Sequence, residues 1–440
     1  MQVCMVVALP GTRCRGSMRA MLDSLRRSSQ HTNTARLRPS ATLIVLIAYV
    51  GFIGLGLPAG ALGVAWPSIR AEFGLRLDAI GALLTAVTIG SLLSSFASGP
   101  AANRFGLSRF LLAGTLSAVL GLAGYALAPG WWALVACGLL VGASAGAIDA
   151  GLNTYFAAHH GPRLMTWLHA AFGLGAALSP MLMTALVGAG LSWRWGYAAI
   201  ALLQILVALG IALTLSGWTG PDRPHVSGDP SAPGDRGTPE PPAAASATLR
   251  LPVMWFSIAL LLMIAGSQAT ATQWPYSLFT EARAVAPATA GLWVGIHWAT
   301  LTGARVLYGL AGNRLKVNGV LRFSTIVMVV GAVLLWWNPT DWLSFIGLAL
   351  MGVALAPTFP LLQLVTPARL GRQHAANAIG FQTAAGYIGF GLAPGLAGIL
   401  AQRWGLETIG PYLTVCVIGM LLLHELLLRS DRAKRTVAAS

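Results

Sequence analysis

Apolar runs of about 20 residues recur along nearly the whole chain, separated by short breaks rich in charge, proline and glycine. At a rise of about 1.5 Å per residue, each run is long enough to cross a hydrocarbon core about 30 Å thick. The runs are continuous rather than alternating, so they predict helices and exclude a β-barrel. The breaks place spans at residues 41–65, 79–99, 108–128, 131–157, 165–189 and 194–216. From 217 to 252 the pattern stops, and Pro221, Pro224, Pro230, Pro233, Pro239, Pro241 and Pro242 stand among Asp, Gly and Ala in a composition that cannot bury a core. Six further spans follow at 253–280, 288–311, 319–337, 341–365, 374–401 and 409–429. The expected fold class is therefore an all-α polytopic membrane protein of twelve transmembrane helices. Its six-helix bundles cover 41–216 and 253–430, joined by a flexible linker over 217–252 and flanked by tails at 1–40 and 431–440.

The two bundles read as copies of one another. An offset of 210 brings Gly99, Asn103 and Arg104 onto Gly309, Asn313 and Arg314, and Gly142, Asn153 and Gly161 onto Gly352, Gln363 and Gly371. A parallel duplication of this kind places a substrate site between the halves near the bilayer midplane, exposed alternately as one half rocks against the other.

Composition agrees with lipid as the solvent. The chain is 56% hydrophobic and 9% charged, where a soluble protein carries about 25% charged residues. The net charge of +15 comes from arginines clustered in loops and tails, which marks membrane topology and excludes a nucleic-acid patch on a soluble domain. With the N-terminus cytoplasmic, roughly 22 of the 28 Lys and Arg fall on the inside, and roughly five, Arg70, Arg76, Arg194, Arg283 and Arg403, fall opposite. Both termini are then expected in the cytoplasm, with the chain in the plasma or inner membrane. The first 40 residues carry seven arginines but no apolar core before Ala41, so they read as a disordered tail rather than a cleaved signal, with Met18 or Met21 as alternative starts. Cys4, Cys14, Cys137 and Cys416 show no metal-ligand spacing, and neither metal, cofactor nor disulfide is expected.

An ionisable side chain at a helix centre costs roughly 2.5–3.5 kcal/mol on insertion, so each one asks for a partner or a task. Asp149 lies well inside the fourth span, with Asn153 one turn further on the same face. A carboxyl in a cavity that alternates between two environments can load and release a proton, which makes Asp149 the leading proton-coupling candidate; a fixed helix-packing hydrogen bond is the alternative. His169 stands at a similar depth on the antiparallel fifth span and reads either as a relay or as a helix-to-helix hydrogen bond. His297 and Arg305 share one face of the eighth span, as a further coupling candidate and as a gate residue. An ion pair between Arg305 and Asp149, made in one access state and broken in the other, would give a two-state element; snorkelling of Arg305 to the nearby loop is the simpler reading. Amides and flat rings suited to hydroxylated solutes occur at Asn153, Gln273, Trp274 and Gln363, with Gln268, Tyr276, Trp298 and Gln382 as further members, though amides also tie helices together.

The segment Gly99-Pro-Ala-Ala-Asn-Arg-Phe-Gly106 resembles the loop motif that follows the second helix in the major facilitator superfamily, with a second copy beginning at Gly309. The resemblance covers nearly all of 41–430. Within that superfamily, Gly63 to Ile69, Gly151 to Tyr155 and Trp167 to Gly173 resemble the fucose, galactose and glucose proton-symporter branch. It implies two pseudo-symmetric six-helix bundles working by alternating access, with Gly99, Asn103, Arg104, Gly309, Asn313 and Arg314 in loop and gating roles. The motif aspartate is Asn103 here and Asn313 in the repeat, and the first span has no acid where the fucose permeases use one.

No Gly-rich phosphate loop, nucleophile elbow, metal pair or sizeable soluble domain is visible, so no enzyme is expected. A channel would need a pore ring repeated around symmetric subunits, which two unequal halves do not supply. The leading expectation is a monomeric secondary transporter that takes up a sugar or polyol with protons. Proton-driven export of a drug or metabolite is the alternative, and a ligand sensor on the same fold is a third reading.

Overall fold

A computed structural model describes residues 40–160, 162–218, 243–311 and 317–439. Among them run twelve long helices: α1 (Ala41–Phe73), α2 (Ile80–Phe105), α3 (Leu107–Leu127), α4 (Trp131–His159), α5 (Pro162–Gly188), α6 (Trp193–Leu213), α7 (Pro252–Gln273), α8 (Pro287–Ala311), α9 (Val317–Trp337), α10 (Asp341–Leu355 and Thr358–Leu370), α11 (Arg372–Trp404) and α12 (Ile409–Ala439). No strand occurs among the described residues. Eleven of the helices are long and apolar enough to cross a membrane. The twelfth, α8, has 25 residues, but His297, Thr300, Thr302 and Arg305 reduce its apolarity. Outward faces carry side chains such as Leu127 and Phe96, 79% and 69% exposed, as expected where lipid rather than water covers them.

Local chemistry sets the ends. Ser40 caps α1 by accepting a hydrogen bond from the Leu43 amide at 3.2 Å, and Gly74 ends it at φ 62°. Pro275 interrupts α7, which continues as a short turn (Pro275–Ser277) and one wide π turn (Leu278–Ala282). Pro360 has no N–H to offer Ala356, and α10 breaks there.

Helices outlast the apolar core that marks them in the sequence. α1 runs on through Pro67 to Phe73 rather than stopping at 65, and α12 continues to Ala439 across the expected tail. Residues 219–242, most of the expected linker, and 1–39 lie outside the described residues, as do Asn313 and Arg314. The linker's expected last residues instead form a helical turn (Ala245–Leu249) docked on α11. There the Asn377 amide donates to the Ala243 carbonyl at 2.8 Å, and Thr248 Oγ1 pairs with His374 Nδ1 at 2.9 Å.

The helix contacts of the second half repeat those of the first. α1 packs on α5 and α6 as α7 packs on α11 and α12, and α3 packs on α4 and α6 as α9 packs on α10 and α12. The repeat reaches single residues. Gly142 of α4 lies against the Val87 carbonyl of α2 with no room for a Cβ, and Gly352 of α10 lies in the same way against the His297 carbonyl of α8. Gly121 faces the Cys137 carbonyl as Gly331 faces that of Gly347, again 210 positions on. Small residues let backbones approach where lipid supplies no hydrophobic drive. The halves meet along two seams, α5 with α8 and α2 with α11.

Candidate functional site

Between the halves lies a cavity of about 400 Å³. Ten of the helices contribute side chains to it, and only α9 and α12 stand outside. Much of the wall is apolar, with the rings of Phe52, Phe172, Phe359 and Phe390 among it. Set into that wall are four buried polar side chains with an atom that has no hydrogen-bond partner: Ser144 Oγ on α4, Tyr197 Oη and Gln204 Oε1 on α6, and Gln273 Oε1 on α7. All four side chains are at most 2% exposed. The Gln273 amide nitrogen reaches across the halves to the Ala59 carbonyl at 3.5 Å. A buried orphan of this kind costs about 1–3 kcal/mol unless something fills it.

Asp149 lines the cavity from α4, and its Oδ1 accepts a hydrogen bond from Asn153 Nδ2 at 2.9 Å, the pairing that the four-residue spacing allows. His169 of α5 and Arg305 of α8 also line it, and the same two residues line a second cavity of about 270 Å³ towards the end where α1 begins and α12 finishes. His169 meets Phe52 edge-on, ring centroids 5.7 Å apart. Arg305 Nε donates to the Ala356 carbonyl at 3.4 Å, the group that Pro360 leaves free. Asp149 and Arg305 share the cavity, but no ion pair joins them in this state.

Of the other residues singled out from sequence, Gln273 and Gln268 line the cavity, whereas Asn153 stands behind Asp149. Gln363 is also held back from the wall, its Nε2 donating to Thr383 Oγ1 at 3.1 Å. Two residues point elsewhere. Trp274 is fully buried with its indole N–H on the Pro394 carbonyl at 2.9 Å, tying α7 to α11. His297 is fully buried with Nδ1 against the Leu348 carbonyl at 2.8 Å, tying α8 to α10. Gly99, Asn103 and Arg104 are exposed at the end of α2, and Gly309 packs near Thr166 of α5.

Sequence reasoning passed over Ser144, Tyr197 and Gln204. Gln204 had a signal, an amide in the middle of an apolar span, while a serine or tyrosine in such a helix carries none.

At the end opposite the termini the halves are drawn together. Arg70 of α1 forms an ion pair with Glu281 of the π turn, and the Leu77 amide donates to Gln402 Oε1 of α11 at 2.7 Å. Within each half the same end is tied by a second pair, Glu72 with Arg194 and Arg283 with Glu407, each 2.7 Å. Among the described residues no group of three or more His, Cys, Asp or Glu side chains is placed to hold a metal ion.

The family model of the Major Facilitator Superfamily matches residues 48–283 and 261–440. Curated relatives include the D-xylose transporter of Levilactobacillus brevis, 26% identical over 167 residues. They also include the 4-hydroxybenzoate transporter PcaK of Pseudomonas putida, 26% identical over 183 residues. These matches span 37% and 40% of this chain, and only 36% and 39% of the relatives' own length. Among solved structures, the nucleoside transporter NupG superposes with a TM-score of 0.70 at 14% identity, over 88% of this chain and 99% of its own. A bacterial homolog to the human lysosomal transporter Spinster, inward-facing and occupied, also gives 0.70 at 14% identity, over 89% and 97%. At such identity the likeness shows the fold alone.

Proposed function

The chain belongs to the Major Facilitator Superfamily, and from that premise we propose that it carries a small hydroxylated solute of the sugar or polyol class through the central cavity by alternating access, with a proton carried on Asp149. One observation supports this above the rest: four buried side chains from both halves, each with an unpaired polar atom, line a cavity of about 400 Å³, a volume within the small-molecule range of about 300–1,000 Å³. The two glutamine oxygens can only accept hydrogen bonds, so the solute must donate, while the serine and tyrosine hydroxyls serve either role. Sugar and polyol hydroxyls answer all four. The D-xylose transporter among the relatives supports the same class.

The rest of the cycle follows from the same geometry. The Arg70–Glu281 pair and the Leu77–Gln402 bond hold the halves together at the end opposite the termini. With both termini cytoplasmic in the plasma membrane, this is a state closed to the outside. The Asn153 amide fixes the Asp149 carboxylate when it is ionised, and protonation changes that bond. The segments resembling the fucose permease branch fit uptake by symport in a single chain. A second reading, a hydroxylated aromatic metabolite, draws on the four phenyl rings of the wall and on the 4-hydroxybenzoate relatives. Its direction would be uptake or proton-driven export.

The test is counterflow of labelled xylose, hexoses, polyols and 4-hydroxybenzoate in proteoliposomes, with accumulation under an imposed pH gradient. Asp149→Asn is expected to exchange solute as wild type does but to lose accumulation. Failure of the whole panel to exchange sinks the proposal, and accumulation by Asp149→Asn removes Asp149 from coupling.

A further inference from the structure

Arg305 stands in the cavity wall with no counter-ion among the described residues. Its guanidinium has five N–H donors, stays cationic in proteins, and spends one donor on a 3.4 Å bond to the Ala356 carbonyl. No carboxylate of the described residues lies within ion-pair distance of it. The acid that shares the cavity, Asp149, is engaged with Asn153 of its own helix. A half-buried cation among largely apolar groups is costly, and proteins turn one to a water-filled cavity, pair it with a counter-ion or a backbone carbonyl, or keep it for a ligand that brings the anion. The break of α10 is what aims it: Pro360 frees the Ala356 carbonyl, and that carbonyl holds Nε and leaves the two terminal nitrogens for a planar, two-pronged contact. His169 lines the same two cavities and can add an imidazole N–H to the same anion.

Deepening the hydroxylated-solute reading, on which it rests, we infer that the solute is a hydroxylated monocarboxylate, its carboxylate seated on Arg305 and His169 and its hydroxyls turned towards Ser144, Tyr197, Gln204 and Gln273. Neutral sugars could accept hydrogen bonds from the guanidinium but would leave its charge unbalanced and its fork without a matching bidentate acceptor. The charge balance differs between the two classes. A monocarboxylate moving with one proton carries no net charge, whereas a neutral sugar with one proton carries one positive charge across the membrane.

The experiment uses the full chain in proteoliposomes with matched probes: glucose against glucuronate, and 4-hydroxybenzyl alcohol against 4-hydroxybenzoate, each labelled. Wild type should exchange the acid of at least one pair and prefer it to its neutral partner. Accumulation of that acid should follow a pH gradient and not a potassium-diffusion potential imposed at equal pH. Arg305→Gln should lower acid exchange about tenfold or more, the loss expected for a hydrogen bond to a charged group. Arg305→Lys, which keeps the charge and loses the fork, should fall between, and Arg322→Gln, whose parent arginine pairs with Glu425, should exchange as wild type does. If neutral members exchange, acids do not, and Arg305→Gln leaves the rate unchanged, the carboxylate inference is overturned while the hydroxylated-solute reading stands. If no probe exchanges with wild type, both fall together.

Discussion

Gln204 lies halfway along α6, 1% exposed, with Oε1 unpaired in the cavity wall. A buried polar atom without a partner lowers stability by about 1–3 kcal/mol, and replacement by an apolar group of similar shape removes that penalty. Gln204→Leu is therefore expected to leave the unfolding temperature in detergent unchanged or higher while raising the KM for transport about tenfold, the weight of one lost hydrogen bond. A fall in unfolding temperature with unchanged KM would show that the amide serves packing alone. Asp149, His169, Arg305 and Gln273 could be picked out of the sequence because each breaks an apolar run. His297 breaks a run too and Trp274 offers a flat ring, yet the structure turns them to the Leu348 and Pro394 carbonyls. Spacing along a helix fixes which residues share a face, but not which neighbour that face meets.

At the scale of helices, close approach within each half is set by small residues. Gly142 presses on the Val87 carbonyl, so Gly142→Val forces α2 and α4 apart. Overpacking of this kind costs about 1–3 kcal/mol. A lowered unfolding temperature is expected, whereas Gly303→Val on α8, where nothing lies within 4 Å, should leave it unmoved. Equal shifts in the two variants would deny that contact its role. The duplication also survives where the side chains differ. Glu72 on α1 pairs with Arg194 on α6, while in the second half the base, Arg283, follows α7 and the acid, Glu407, precedes α12. The same end-to-end tie is made with the charges exchanged, and a sequence match at fixed offset scores it as a mismatch. The broken α10 had a clear signal in Pro357 and Pro360, but its effect, aiming Arg305, depends on α8 lying alongside.

For the whole molecule, the two halves touch along α5 with α8 and α2 with α11, and the Arg70–Glu281 pair joins them at one end. If rocking opens that end, tying it shut must stop the cycle. Arg70→Cys with Glu281→Cys, in a background without the four native cysteines and joined by a short bifunctional thiol reagent, is expected to abolish counterflow, with recovery on cleavage of the link. Undiminished exchange in the linked protein would show that this end does not open. The sequence by itself determined the solvent, the helices and the pairing of halves, because continuous apolar runs of membrane length permit only helices in lipid and a repeat at fixed offset is visible without coordinates. It also marked Asp149, His169, Gln268, Gln273 and Arg305, which the structure places in the cavity wall. Only the tertiary structure decided which of the marked residues line one cavity, left Asp149 and Arg305 without an ion pair to each other within it, and supplied Ser144 and Tyr197. Such contacts join helices distant in sequence, α2 with α11 and α5 with α8 among them, and their geometry is fixed by packing that no local pattern encodes.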